Sequence, residues 1–481
     1  VGPATRLDLR LVPAALTAWA VTAAGILWPV GAVLAAGCAV IAAAAALLGW
    51  RGGGPIRTGA VVVTGAAVVG AGFAVAVALR SDAVRAHPLT HRVGATATLT
   101  VSPTESPRSL GNGRLMFPAN LDRVDDGESS GRVVVFAPVL GFAELSAGQP
   151  VRFRARIGRP GRRDLTVAVL NVSGEPVLGK ASTVQRGAQK VRSRFAATAL
   201  RVLPADQAAM LPGLVLGDTA AITATTTAEF RTAGLTHLMA VSGANVTIVC
   251  GTVLLAARLI GPRAAVGLAA LTLAGFVVVV QPGASVLRAA VMGALALLAV
   301  LCGRRRQAIP VLSAAVLALL VVAPHLAVDI GFALSVSATA ALVVLAPGWS
   351  ARLVAQGWPV PLADAVAIAL AAQLVTAPLV AAISGRFSLV AVIANLAVAV
   401  VIPPITVLGT AAAALCPLWA PGAGLLIRFT GPELWWLLRV AHWAAAIPGA
   451  SIPVPSGLAG VVTVGGVTVA GAGLWWWVRR R

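Results

Sequence analysis

Residues 11–49 contain no charged side chain, a run about twice the ~20 residues that one membrane-spanning helix needs. A backbone in hydrocarbon has to satisfy its own hydrogen bonds, which leaves helices or closed barrels. With Trp28 and Pro29 near its middle, the run reads as a helical hairpin, and residues 58–79 read as a third span. Further apolar runs follow at 237–260, 264–281, 285–302, 308–324, 329–347, 363–383, 387–402, 405–419 and 459–477. Composition agrees: 58% of the chain is apolar and 11% charged, whereas a soluble surface takes about a quarter charged residues. Mean hydropathy is +0.90. The chain reads as a polytopic α-helical membrane protein of about 10–12 transmembrane helices.

The 37 Lys+Arg residues against 16 Asp+Glu give +21, and only Lys180 and Lys190 are lysines. Such a balance suits anionic lipid or a polyanionic substrate, although cytoplasmic loops gather arginine whatever the cargo. Arg6, Arg10, Arg51 and Arg57 place the N-terminus and the first loop in the cytoplasm, so the chain emerges outside near residue 80. The same register makes Arg304–Arg306, Arg352 and Arg479–Arg481 cytoplasmic. The first apolar run has no small-residue cleavage site behind it and is read as a retained helix rather than a signal peptide. Cys38, Cys250, Cys302 and Cys416 form no Cys-x-x-Cys pair, which indicates neither a disulfide framework nor a zinc site. No metal or cofactor is expected.

The regions divide as 1–80, an N-terminal three-helix membrane segment; 81–190, an extracytoplasmic β-rich domain; 191–233, amphipathic interfacial helices; and 234–481, a polytopic membrane domain. Residues 81–190 hold 9 of the 16 acidic residues. Strands are expected at Val93–Val101, Gly113–Leu121, Arg132–Ala137, Val151–Ile157 and Leu165–Val172, a spacing that fits a small OB-like barrel. Arg152, Arg154 and Arg156 share one strand face. That face can meet a phosphate backbone or simply be solvated. Aromatic side chains for stacking bases are few here.

In the membrane domain, His237, Ser242, Gly243 and Asn245 sit at the mouth of an apolar run. Polar groups at that depth line protein interior or water, or act as glue between helices. Gln373, in mid-span, poses the same choice. It is expected to approach the His237–Asn245 segment and line a polar cavity with it. Arg288 can contact a passing phosphate or pair with Asp329, and Asp329 can cap a helix. A serine hydrolase built on Ser242 and His237 is disfavoured, because a five-residue spacing puts them ~140° apart around a helix.

Several blocks then occur in order: Leu214, Leu216, Gly217 and Asp218; Gly234, Leu235, His237, Leu238, Ala240, Ser242 and Gly243; Ser285, Leu287, Arg288 and Ala289; Asp329, Gly331 and Phe332; Ala372, Gln373, Leu374, Thr376 and Pro378; Gly385, Phe387, Asn395 and Leu396. They resemble the core of the ComEC/Rec2 family, the inner-membrane DNA uptake channels of natural competence. The chain departs from many members at Asn245, where they carry His, and at Ala333, where they carry Gln. It looks like the form without the family's C-terminal metallo-β-lactamase-like domain, since no His-x-His-x-Asp-His run is present.

The resemblance implies a channel that takes up single-stranded DNA through the cytoplasmic membrane of a bacterium, and not an enzyme. DNA and membrane lipid are then its partners, together with a DNA receptor, a cytoplasmic ATPase or single-strand-binding proteins; an oligomer is possible. The chain has no P-loop, so the driving energy comes from elsewhere. An intramembrane hydrolase or a small-solute transporter remain the alternatives. His237, Ser242, Gly243, Asn245, Arg288, Asp329, Gln373 and Asn395 are the candidates for the DNA path.

Overall fold

The computed structural model describes residues 8–478 apart from 126, 143–144, 240, 242, 282–283 and 302–307. Cys302, the Pro282-Gly283 turn, the Arg304–Arg306 cluster and Arg479–Arg481 lie outside the described residues. The chain begins with helices α1 (Val12–Leu27), α2 (Gly31–Arg51) and α3 (Gly54–Arg85). Strands follow: β1 (Thr96–Pro103), β2 (Arg108–Gly111), β3 (Arg114–Val124), β4 (Gly127–Pro138), β5 (Val151–Gly158) and β6 (Thr166–Leu178). Then come α4 (Thr183–Val202), α5 (Ala205–Leu216), α6 (Ala224–Thr232), α7 (Gly243–Ala257), α8 (Pro262–Val280), α9 (Ala284–Leu301) and α10 (Ala308–Val322). The remainder is α11 (Ile330–Val344), α12 (Ala346–Ala355), α13 (Val360–Ser384), β7 (Arg386–Ser388), α14 (Ala391–Val398), α15 (Ile402–Leu415), α16 (Ala420–Phe429), α17 (Gly431–Ala446), β8 (Ser451–Pro453) and α18 (Gly457–Val478).

Among the described residues, five helical stretches are long and apolar enough to cross a membrane, and a sixth arises if α14 and α15 count as one span bent by 53°. Shorter apolar helices, α1, α7 and α10 among them, supplement these. The bend falls between Val398 and Ile402, just before Pro403-Pro404. Helix α15 starts at Ile402 and takes both prolines into its first turn, where a missing N–H costs nothing because no carbonyl awaits it.

The chain forms two compact units, Val1–Lys190 with Ala274–Asp329, and Val191–Leu273 with Ile330–Arg481. In the first, α3 packs on α1 and α2, and α10 packs on α1. Small side chains allow the close approach: a Cβ added at Gly31 would come within 2.9 Å of the Ala78 Cβ. The barrel follows from alternation. Strand β5 buries Val151, Phe153, Ala155 and Ile157 and exposes Arg152, Arg154 and Arg156, as a period of two requires. Its sheet runs β1-β5-β6-β4-β3-β2 and is closed by a β1–β3 pairing. All its pairs are antiparallel except β4–β6. Phe142 fills the interior, with ring centroids 6.3 Å from Phe117 and 5.7 Å from Phe153.

All five expected strands form. The sixth, β2, is short and joins β3 through a turn at Asn112 and Gly113, both at positive φ. The barrel is tied to a helix end within its own unit, where Arg163 Nη1 donates to the Leu27 carbonyl at 2.6 Å, and in the same unit Trp19 Nε1 on α1 donates to the Ala327 carbonyl at 2.8 Å.

The second unit is helical, with one small β7–β8 pair. Helix α13 packs on α11, α12, α14 and α18, while α15 packs on α5, α7, α16 and α17. Helix α5 is apolar nearly all round from Met210 to Leu216, and its residues there are buried, as such a composition demands.

Candidate functional site

The Leu214 to Asp218 block is a helix end. Leu214 and Leu216 are buried, Gly217 takes a left-handed φ of 71°, and its N–H donates to the Gly213 carbonyl. The last turn of a helix leaves carbonyls without partners, and burying them unsatisfied is costly. Two side chains from elsewhere in the unit meet that need. Asn245 Nδ2, on α7, donates to the Leu214 carbonyl at 3.0 Å. Arg192 Nη1, on α4, donates to the Leu216 carbonyl at 2.9 Å. A second Arg192 nitrogen lies 3.5 Å from Asp218 Oδ2.

Arg192 is therefore a buried cation with both a carboxylate and a helix C-terminus to balance it. Burial pulls its guanidinium below the ordinary arginine value, and the Asp218 charge opposes that shift. Asp218 also accepts from the Ala220 N–H at 3.3 Å. In the sequence Arg192 stands at the start of the 191–233 stretch expected to be interfacial. The signal was present, because Arg192 stands in helical phase with Phe195 and Ala199, both fully buried, and an arginine on a buried stripe has to be paired.

The next block closes a second junction. Gly234, at φ 74°, lies against α14, where a Cβ would come within 2.5 Å of the Ala391 Cβ. Ser388 Oγ donates to the Thr232 carbonyl at 2.8 Å. Glu229 Oε1 on α6 lies 2.8 Å from His442 Nδ1 on α17, and Trp436 Nε1 on α17 donates to the Ala397 carbonyl at 2.9 Å. These contacts join α6 and the turn after it to β7, α14 and α17.

The expected path residues divide among these elements. His237 is exposed in a short 3-10 turn (Thr236–Met239), Gly243 opens α7, and Asn245 is buried. Ser242 lies outside the described residues. Gln373 is half-buried in the middle of α13, and Asn395 donates to the Ala391 carbonyl within α14 at 2.8 Å. Helix α7 packs on α15, whereas α13 has its neighbours in α11, α12, α14 and α18. Arg288 and Asp329 belong to the first unit. Arg288 is buried, with Nη1 3.4 Å from Met292 Sδ, and Asp329 directly precedes α11. Among the described residues no group of three or more His, Cys, Asp and Glu is placed to hold a metal ion.

Helices of spanning length, one bent pair and buried polar side chains committed to helix ends define a helical protein of the multi-pass membrane type. The family model described as "Competence protein" matches residues 214–480. The chain belongs to that family, the ComEC/Rec2 competence proteins, and membership supports a role in competence. No match was found among curated proteins or among solved structures.

Proposed function

We infer that the chain conducts single-stranded DNA across the cytoplasmic membrane of a bacterium during natural transformation. The observation that carries this reading is the family match over residues 214–480, a region that includes the α14–α15 pair with its 53° bend. A broken span exposes backbone groups at apolar depth that only protein or water can satisfy. Asn395 stands on α14 just before that break. A polyanion in transit needs polar groups and sparse guanidinium charge, not a continuous basic groove that would hold it. His237, Ser242, Gly243, Asn245, Gln373 and Asn395, with Arg288 and Asp329, supply groups of that kind.

The barrel is read as OB-like on the strength of its closed five-strand order with one parallel pair, and as extracytoplasmic because three apolar runs lead to it from an arginine-bearing N-terminal side. Its outward Arg152, Arg154 and Arg156 would meet DNA before entry. The chain moves the strand without cutting it. Supporting this, three carboxylates are committed to scattered partners: Asp218 to Arg192, Glu229 to His442, and Asp364 to the Ser350 hydroxyl. A cytoplasmic ATPase or single-strand-binding proteins then supply the drive, and a receptor delivers the DNA.

The test is transfer of labelled DNA into a DNase-resistant pool. Deleting the gene should abolish it, and the Gln373→Ala and Arg288→Gln variants should restore it only weakly. Unchanged uptake in the deletion strain would overturn the channel reading. Purified protein in nanodiscs should bind single-stranded oligonucleotide with steep salt dependence and leave it intact with Mg²⁺, Mn²⁺ or Zn²⁺. Cleavage lost on replacing Asp218 or Asp329 would make the protein an enzyme.

A further inference from the structure

We propose that the groove between α4 and α16 binds the phosphate headgroup of an anionic phospholipid. Two adjoining cavities, of about 350 and 400 Å³, share Thr198, Arg201 and Ala420 in their linings. Arg194 lines one, Arg428 the other, and Arg201 both. All three guanidinium groups are exposed, and among the described residues none has an ion-pair partner. Arg194 Nη1 is held by the Pro417 carbonyl at 3.1 Å and Arg201 Nη2 by Thr198 Oγ1 at 3.1 Å. A guanidinium carries five donors, so each keeps most of its donors for a ligand while its position is fixed. Neither α4 nor α16 contains a carboxylate. The groove is thus built for an anion.

The rim identifies which anion. Leu418, Trp419, Leu425 and Phe429 are 82%, 60%, 56% and 60% exposed. Leu418 and Trp419 closely follow α15, the second half of the bent span, and Leu425 and Phe429 lie on α16; on the membrane reading the chain leaves the apolar layer here. Trp at such a level and arginine beside it make up the membrane–water boundary, and α4, with Phe195 and Ala199 buried and Arg194 and Arg201 outward, is laid out as a boundary helix. The phosphate sits among the three arginines and the acyl chains lie over Leu418, Leu425 and Phe429. A DNA backbone would gain from the arginines too, but the exposed Leu418 and Leu425 give acyl chains a contact that bases, which stack on rings such as Trp419 and Phe429, would not use. The proposal rests on the membrane reading of the chain and is independent of the DNA path.

Native mass spectrometry of the full chain released from neutral detergent tests it, with dioleoyl phosphatidylglycerol and dioleoyl phosphatidylcholine as probes. Phosphatidylglycerol should be retained preferentially. Replacing arginines as R194Q, R201Q and R428Q should weaken that preference about fivefold each, while the triple lysine variant R194K/R201K/R428K keeps it. Should the triple glutamine variant not fold, R201Q alone carries the test. Equal retention of both lipids, or a preference untouched by these variants, overturns the proposal. Displacement of the lipid by millimolar inorganic phosphate makes this a free-anion site, and displacement by an oligo-dT makes it a DNA contact; either result also overturns it. Failure of the protein to reconstitute into bilayers would instead sink the membrane reading.

Discussion

The barrel and the second helical unit invert one another. In the barrel, Leu99, Phe117, Val135 and Phe142 are wholly buried and Arg152, Arg154 and Arg156 face out. In the second unit, Ile393, Val400, Leu418 and Leu458 are each more than 70% exposed, while Arg192 and Asn245 are buried. One region is held by excluding apolar groups from water, the other by enclosing the polar groups that hydrocarbon would not solvate. A mutation should therefore act through a cavity in the first region and through an orphaned polar group in the second.

The largest effect expected is on the barrel side. Phe142→Ala removes a ring packed against two others and should cost about 3–5 kcal/mol, read as early proteolysis of residues 81–190 in the full chain. Undiminished protection would break the comparison. In the helical unit, Arg192→Met strands Asp218 and the Leu216 carbonyl. It should cost about 2 kcal/mol, less than a wholly enclosed pair because Asp218 is a third exposed. The double variant Arg192→Met/Asp218→Asn should recover part of that, and a purely additive loss would show that the two are not coupled.

A test of similar size lies where the barrel meets helix ends. Burial, and then the charge of Arg132, hold His325 down to about 4, against a raising effect of Asp164 and a further lowering by Arg80. The unfolded chain then binds the extra proton between pH 6.5 and 4, so stability falls as pH drops through that window. The loss should reach about 2 kcal/mol at pH 5 and vanish in His325→Gln. Asn245→Leu should cost about 1–2 kcal/mol by leaving the Leu214 carbonyl unpaired, seen as a lower midpoint in thermal aggregation. The smallest effect belongs to Asp125. The Arg92 hydrogen bond at 2.9 Å, helped by the Thr98 N–H, holds its carboxyl below the usual range. Its contribution is present above the unfolded value and is lost as pH falls through the folded one. Arg92→Gln should raise the Asp125 titration midpoint by NMR with little change in stability, as for any exposed pair.

Legibility followed the same division. Strict alternation in Val151–Ile157 announced β5 and its arginine face because a period of two needs no distant partner. Strand β2 escaped, since Arg108–Gly111 is too short to show a period. Val93 and Gly94, expected to open the first strand, form a turn instead, with Gly94 at φ 89°, which moves the strand's start to Thr96. In the helical unit the blocks located the important segments but not their function in the fold. Leu214 to Asp218 stands in the sequence only as the first of the ordered blocks and is a capped helix end in space. Its partners Arg192 and Asn245 lie on other helices, and no local pattern encodes a contact that depends on how helices meet.

The interleaving of the two units has a consequence for synthesis. The ring of Trp19 finds its acceptor at Ala327, 308 positions later in the chain, and α1 packs against α10. While the ribosome is still working through the intervening segment, the first hairpin and the barrel have already emerged with one flank uncovered. Non-local closure of this kind is slow and leaves sticky surface open. Until Ala274–Asp329 arrives, the face of α1 that meets α10 and the Ala327 carbonyl has no partner from this part of the chain.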